Sequence, residues 1–120
     1  MLPQTLLKGK IFKDKLYSNK YLSGVWSTLG SENIAHIMAN SGLDYILIDL
    51  EHGLGGFETV TKQVLSILSL DTAVMVRLPD HSESSIKRIL DAGANAILVP
   101  QVNNIDQAQI AVKEIFEGKF

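Results

Sequence analysis

From residue 24 onward, short aliphatic runs alternate with segments whose apolar residues recur every three or four positions. Gly24–Leu29 is the first run. Ser31 then stands as an N-cap for a helix with Ile34, Ile37 and Met38 on one face, stopped at Gly42. Tyr45–Leu50 reads as a buried strand, and Phe57, Val60, Val64, Ile67 and Leu68 mark a second helix. Ala73–Leu78 is a third strand, ended by Pro79. Ile86, Ile89 and Leu90 stripe a helix that starts near Ser82 and closes near Gly93. Ala96–Val99 is a fourth strand, ended by Pro100. Asn104 caps a last helix with Ile105, Ala108, Val112, Ile115 and Phe116 predicted to face inward.

Each strand start is followed by the next after the length of one βα unit, and strands apolar on both faces belong to parallel sheets covered by helices. An internal echo supports repetition: Ser41–Ile48 and Ala92–Val99 share a glycine, an Asp or Asn, and an aliphatic strand. The expected fold is α/β, with four βα units and parallel strands. They fit either a small doubly wound sheet or the N-terminal half of a (β/α)8 barrel. No Gly-x-Gly-x-x-Gly follows the first strand and no Gly-x-x-x-x-Gly-Lys-Ser/Thr occurs, which weakens the nucleotide-binding open sheets. Residues 23–120 are the expected barrel half, and 1–22 a basic arm or short helix. Half a barrel leaves two sheet edges and an inner face uncovered, so truncation of a longer barrel is expected. Pairing with another copy or another chain is the alternative.

The chain has 120 residues, 46% hydrophobic and 20% charged, the balance of one soluble globular domain rather than a disordered segment. It has no cysteine, which excludes disulfides, thiolate zinc sites and thiol nucleophiles. No apolar run has the length of a membrane span. Five lysines against Asp14 occupy the first 23 residues, whereas the remainder carries six basic groups against twelve acids. The basic end lacks Arg and a sustained apolar core, so it does not read as a targeting peptide. The net charge of −2 suggests neither nucleic acid nor membrane as a partner, and a cytoplasmic location is expected.

Candidate chemistry gathers at the strand ends, where parallel α/β folds place it. The second strand closes with Asp49, Glu51 and His52, followed by Gly53, Gly55 and Gly56. The third closes with Arg77 inside an aliphatic run. So much ionisable material in apolar surroundings is costly unless it serves a purpose. A guanidinium there can hold a carboxylate at two points or neutralise an oxyanion. It can equally pair structurally with Asp49 or Glu51. Trp26 reads as core, His36 as surface or packing, and His81 as a loop residue. Lys62, Lys87 and Lys113 fall on helices, which argues against a Schiff-base lysine in this part of the chain.

The stretch Gly42–His52, with Val76-Arg77, Leu-Asp-Ala-Gly at 90–93 and Ile-Leu-Val-Pro at 97–100, resembles the HpcH/HpaI aldolase family from about Ser23 to Gly118. The Asp-x-Glu-His strand end is the specific part. That resemblance implies a (β/α)8 barrel, homo-oligomeric in full length. It also implies a metal-dependent carbon–carbon lyase that cleaves a 2-keto-3-deoxy or 4-hydroxy-2-oxo acid to pyruvate and an aldehyde. By resemblance, His52 matches the base, Arg77 the enolate stabiliser, and Asp91 an acid that raises the basicity of the histidine. Trp26, Asp49 and Glu51 match positions lining the substrate site. The cofactor implied is a divalent metal, Mg2+ or Mn2+, whose Glu and Asp ligands are expected in the C-terminal half, so this chain alone is expected to be inactive. Asp91 lies at a helix end that a plain βα unit turns away from the strand C-termini. A non-catalytic half-barrel that binds a 2-keto acid, and a citrate-lyase-type lyase of acyl-CoA esters, are the alternatives.

Overall fold

The aliphatic runs pair side by side in the order in which they occur. In a computed structural model that describes residues 3–18 and 21–117, β1 (Gly24–Ser27), β2 (Tyr45–Asp49), β3 (Ala73–Arg77) and β4 (Ala96–Leu98) form one sheet of order β1-β2-β3-β4. Every pairing is parallel, with Trp26 opposite Leu47, Leu47 opposite Met75, and Met75 opposite Ala96. A doubly wound sheet reverses its strand order at a switch point, and this sheet does not. The fold is the N-terminal half of a (β/α)8 barrel.

The helices are α1 (Pro3–Tyr17), α2 (Glu32–Ala39), α3 (Phe57–Ile67), α4 (Glu83–Ala92) and α5 (Ile105–Glu117). The starts of α2, α4 and α5 are set by side-chain caps that satisfy otherwise unpaired N–H groups. Ser31 Oγ accepts from Ile34 N at 3.3 Å, Ser82 Oγ from Ser85 N at 3.2 Å, and Asn104 Oδ1 from Gln107 N at 2.8 Å. Gly93 ends α4 at φ 103°, a left-handed C-cap that a side chain would strain. The expected stop at Gly42 lies two residues past the C-cap of α2, Asn40; the glycine instead carries the turn into β2 at φ 81°.

Alternation along each strand divides the sheet into two faces. Ile46, Ile48, Val74 and Val76 pack against Ala35, Val60, Val64, Ile67, Ile86 and Ile89 of the covering helices, and all of these are buried. The opposite, concave face carries Tyr45, Leu47 and Asp49 of β2 and Arg77 of β3. Its N-terminal half is closed by α1, whose Phe12 is buried against Tyr45 with ring centroids 5.7 Å apart. The expected arm or short helix at the N-terminus is thus a 15-residue helix bedded on the sheet. Its burying face is narrow, built around Thr5 and Phe12, and therefore left no clear amphipathic stripe.

The two echoed segments hold this helix. Asp44 and Asn95 occupy equivalent positions ahead of β2 and β4. The Asp44 carboxylate accepts from Ser23 N at 2.9 Å, and Asn95 Oδ1 accepts from Val74 N at 2.8 Å, each tying down the preceding strand. Each also reaches α1: Lys15 Nζ donates to Asp44 Oδ1 at 3.2 Å, and Asn95 Nδ2 donates to Thr5 O at 2.9 Å. At the other end of the chain, α5 differs from expectation. Ala111 and Ile115 meet the core, while Ile105, Ala108, Val112 and Phe116 are exposed. Of the residues predicted to face inward, Ile115 therefore meets the core, beside Ala111.

Asn95→Ala should cost about 1–3 kcal/mol in urea unfolding, because the Val74 N–H then lacks its partner. Asn95→Asp keeps the acceptor for Val74 but sets a carboxylate oxygen against Thr5 O in place of the Nδ2 donor, so it too should destabilise, through loss of the α1 anchor.

Candidate active site

Register alone sets Asp49 beside Arg77, since the two are direct partners at the C-terminal ends of β2 and β3. Arg77 grips the carboxylate at two points, Nε to Oδ1 at 3.0 Å and Nη2 to Oδ2 at 2.6 Å. From β1, Trp26 Nε1 donates to Oδ2 at 3.0 Å, and its ring centroid stands 5.0 Å from the guanidinium carbon. Just past the strand, the backbone N–H groups of Glu51 and His52 donate to Oδ1 at 2.9 and 3.2 Å. Asp49 is 2% exposed and accepts these five hydrogen bonds. Its pKa is held far below the usual carboxylate range, chiefly by Arg77. Burial pushes the other way, and Trp26 and the two N–H groups reinforce the lowering. The same pair raises the pKa of Arg77, so the guanidinium stays charged.

The turn that Asp49 organises carries Glu51 and His52. Glu51 Oε1 lies 3.3 Å from Arg77 Nη1 and 3.2 Å from His52 Nε2. Glu51 Oε2 accepts from Gln101 Nε2 at 3.1 Å. His52 is the open member of the group, with 73% of its side chain exposed. Gly53 follows because nothing larger fits: a Cβ there would overlap the carbonyl oxygen of Asp49 and press on Thr28. Leu54 N then donates to Thr28 O at 2.7 Å, which joins the loops after β1 and β2.

Trp26, Asp49, Glu51, His52 and Arg77 are therefore brought together at one pole. Asp91 is not among them. It sits on the last turn of α4, beside a concavity also lined by Thr5, Thr61 and Leu68, at the pole that α1 covers. A helix returning to start the next strand ends at the N-terminal side of the sheet, which is why Asp91 is remote from His52. Trp26, read from sequence as core, is half exposed and serves the carboxylate as a donor. Gln101 was not foreseen. An exposed glutamine in a loop carries no pattern, and the only hint was its place directly after the proline that ends the fourth strand.

Chemically, the cluster offers an imidazole open to solvent and a guanidinium with donors to spare. Two of the five N–H groups of Arg77 hold Asp49 and a third nitrogen faces Glu51, so part of its donor capacity remains for an anion. A divalent cation fits less well. Among the described residues, no three His, Asp or Glu side chains stand as a group able to hold one. Both carboxylates at this pole already have their oxygens committed to Arg77, Trp26, His52 and Gln101.

A family model described as HpcH/HpaI aldolase/citrate lyase matches residues 22–119. A hydroxypyruvate/pyruvate aldolase of Roseobacter denitrificans is 35% identical over 102 residues, 85% of this chain and 40% of that protein. A 4-hydroxy-2-oxo-heptane-1,7-dioate aldolase of Salmonella dublin is 37% identical over 101 residues, 84% of this chain and 38% of that protein. Among solved structures, an HpcH/HpaI aldolase/citrate lyase family protein of Burkholderia cenocepacia is 30% identical with a TM-score of 0.82. It shares 88% of this chain and 42% of its own. The chain thus spans about 40% of the length of the relatives it matches.

Asp49→Asn should lower stability by about 3 kcal/mol near neutral pH, since it leaves Arg77 facing a neutral amide in a buried setting. The ionised carboxylate contributes fully above its unfolded pKa of about 3.9 and loses that contribution as pH falls toward the lower folded value. Urea titrations of parent and variant should therefore differ by a constant amount above about pH 5, and the gap should narrow progressively as the pH falls further below about 4.

Proposed function

The chain belongs to the HpcH/HpaI aldolase/citrate lyase family, and from that membership we propose that it supplies the proton-transfer and oxyanion-binding groups of a 2-oxo acid aldolase. The observation that carries this reading is the meeting of His52 and Arg77. They come from the ends of neighbouring strands and share Glu51 Oε1, at 3.2 and 3.3 Å. Proton abstraction next to a carbonyl needs a base within reach of the carbon acid and a fixed cation beside the oxygen that gains charge. An open imidazole beside a permanently charged guanidinium meets both needs.

In the proposed chemistry the substrate is pyruvate or a 4-hydroxy-2-oxo acid. His52 removes a methyl proton from pyruvate, and the electron pair moves into the enolate, whose oxygen meets the spare N–H groups of Arg77. The enolate carbon then adds to the carbonyl carbon of an aldehyde, and the alkoxide that forms takes the proton back from His52. In cleavage, His52 takes the proton of the 4-hydroxyl, the bond between carbons 3 and 4 breaks, and the same enolate forms. Asp49 keeps Arg77 charged and aimed, and Trp26 walls the site on the β1 side. A role for Asp91 at His52 requires a second copy of the chain, given its place at the other pole. A divalent cation, Mg2+ or Mn2+, would polarise the keto acid. We place its ligands outside residues 1–120, so no step above passes through it.

The test joins this chain to the complementary C-terminal segment of the Salmonella dublin aldolase and verifies assembly by gel filtration. Pyruvate methyl protons are then followed by NMR in D2O with Mg2+ or Mn2+. The assembled pair should exchange them. His52→Ala should slow exchange by about 10²–10⁴-fold, and Arg77→Met by about 10²–10³-fold. Undiminished exchange in the His52 variant removes it from the mechanism, and an assembled pair with no exchange ends the aldolase reading.

A further inference from the structure

Among the described residues, Gln101 alone is a non-glycine at positive φ, at 57°. It follows Pro100, which is buried after β4, and its amide reaches Glu51 on the turn after β2. The strand that lies between those two is β3, which ends in Arg77. Non-glycine residues persist in the left-handed region where their surroundings over-determine them, and they concentrate at functional sites.

The guanidinium of Arg77 is unevenly occupied. Its Nε and Nη2 donate to Asp49 at 3.0 and 2.6 Å. Its Nη1 stands 3.3 Å from Glu51 Oε1, and no hydrogen bond joins the two. A guanidinium and an unrestrained carboxylate close to about 2.7–2.9 Å. Glu51 has the freedom to do so, with three rotatable side-chain bonds, and at 11% side-chain exposure little water competes for it. His52 Nε2 lies 3.2 Å from the same oxygen, again without a hydrogen bond, and its ring is largely exposed. What holds the carboxylate back is Gln101, whose Nε2 donates to Oε2 at 3.1 Å. Among the described residues this is the one hydrogen bond that the Glu51 carboxylate accepts.

We infer that Gln101 is a positioning residue: it holds Glu51 off Arg77 and so keeps Nη1 open for the oxygen that gains charge in the reaction. Without the amide, Oε2 loses its partner and Glu51 closes on Nη1. All three guanidinium nitrogens are then committed to the protein's own carboxylates, and the donors that an enolate needs are spent. That an enolate oxygen takes the open nitrogen rests on the aldolase reading above, whereas the open nitrogen itself does not.

The chain has two arginines, Arg77 and Arg88, so guanidinium signals of the 15N-arginine-labelled protein are readily assigned. Spectra recorded without substrate, cold and in mildly acidic buffer, read rotation about each Cζ–Nη bond. The two hydrogens of an unbonded NH2 average to one resonance, and those of a held NH2 separate. In the parent, Arg77 should show a separated Nη2 pair and an averaged Nη1. Gln101→Asn and Gln101→Gly both remove the reach of the amide, and both residues sit easily at positive φ. Each should split the Nη1 resonance, with far-UV circular dichroism unchanged. Arg88, stacked 3.9 Å over the Phe57 ring, should not respond. Adding Glu51→Ala to either variant should return Nη1 to its averaged state, a rescue that a general loosening of the loop would not produce. A split Nη1 in the parent, an averaged Nη1 in both Gln101 variants, or a split that survives Glu51→Ala each overturns the inference. Because no turnover is measured, failure here is separable from failure of the exchange experiment.

Discussion

The pairing of Asp49 with Arg77 is the constraint on which this pole of the molecule depends. Taking two charges out of water is expensive, and their attraction repays the cost only when geometry is good and the remaining lone pairs are satisfied. Here the guanidinium docks in a two-point fork, and the carboxylate also takes the Trp26 indole and two backbone N–H groups. The pair does more than cross-link β2 to β3. By accepting from the N–H groups of Glu51 and His52, Asp49 decides the direction in which the chain leaves the strand. Lysine could not replace Arg77 without loss, because an ammonium lacks the planar fork and the face that lies near Trp26.

Much of the fold was legible because period and punctuation agreed. Ser31, Ser82 and Asn104 cap where a polar residue precedes an apolar stripe, and Gly93 stops α4 as a glycine at that place should. The strand-end chemistry was legible for a related reason, since ionisable residues inside an aliphatic run break the pattern that burial imposes. Other features had no local signature. The burying face of α1 is a threonine and a phenylalanine among lysines and leucines, and its partners lie far along the chain. In α5 the periodicity was correct, but of the residues expected inward only Ile115 meets the core, beside Ala111. Trp26 and Gln101 act through contacts 23 and 50 residues distant, which only the parallel register brings together.

The two poles divide the labour of the sheet. At the C-terminal ends of the strands, charge, a strained backbone and an open imidazole are concentrated, and Leu98 and Trp26 are left half exposed. The N-terminal ends are filled by Phe12, Tyr45 and the side chains that grip α1. This separation lets stability be held at one end while the other keeps groups in arrangements that are costly in themselves.

The clasp on α1 also orders events in time. Its anchor at Thr5 waits for Asn95, 90 residues later in the chain. A ribosome adding about 5–20 residues per second therefore adds Asn95 on the order of ten seconds after Thr5. Leu6 and Leu7 stay exposed even in the folded chain, and the lysines interspersed among them keep this segment in water while Thr5 waits for Asn95.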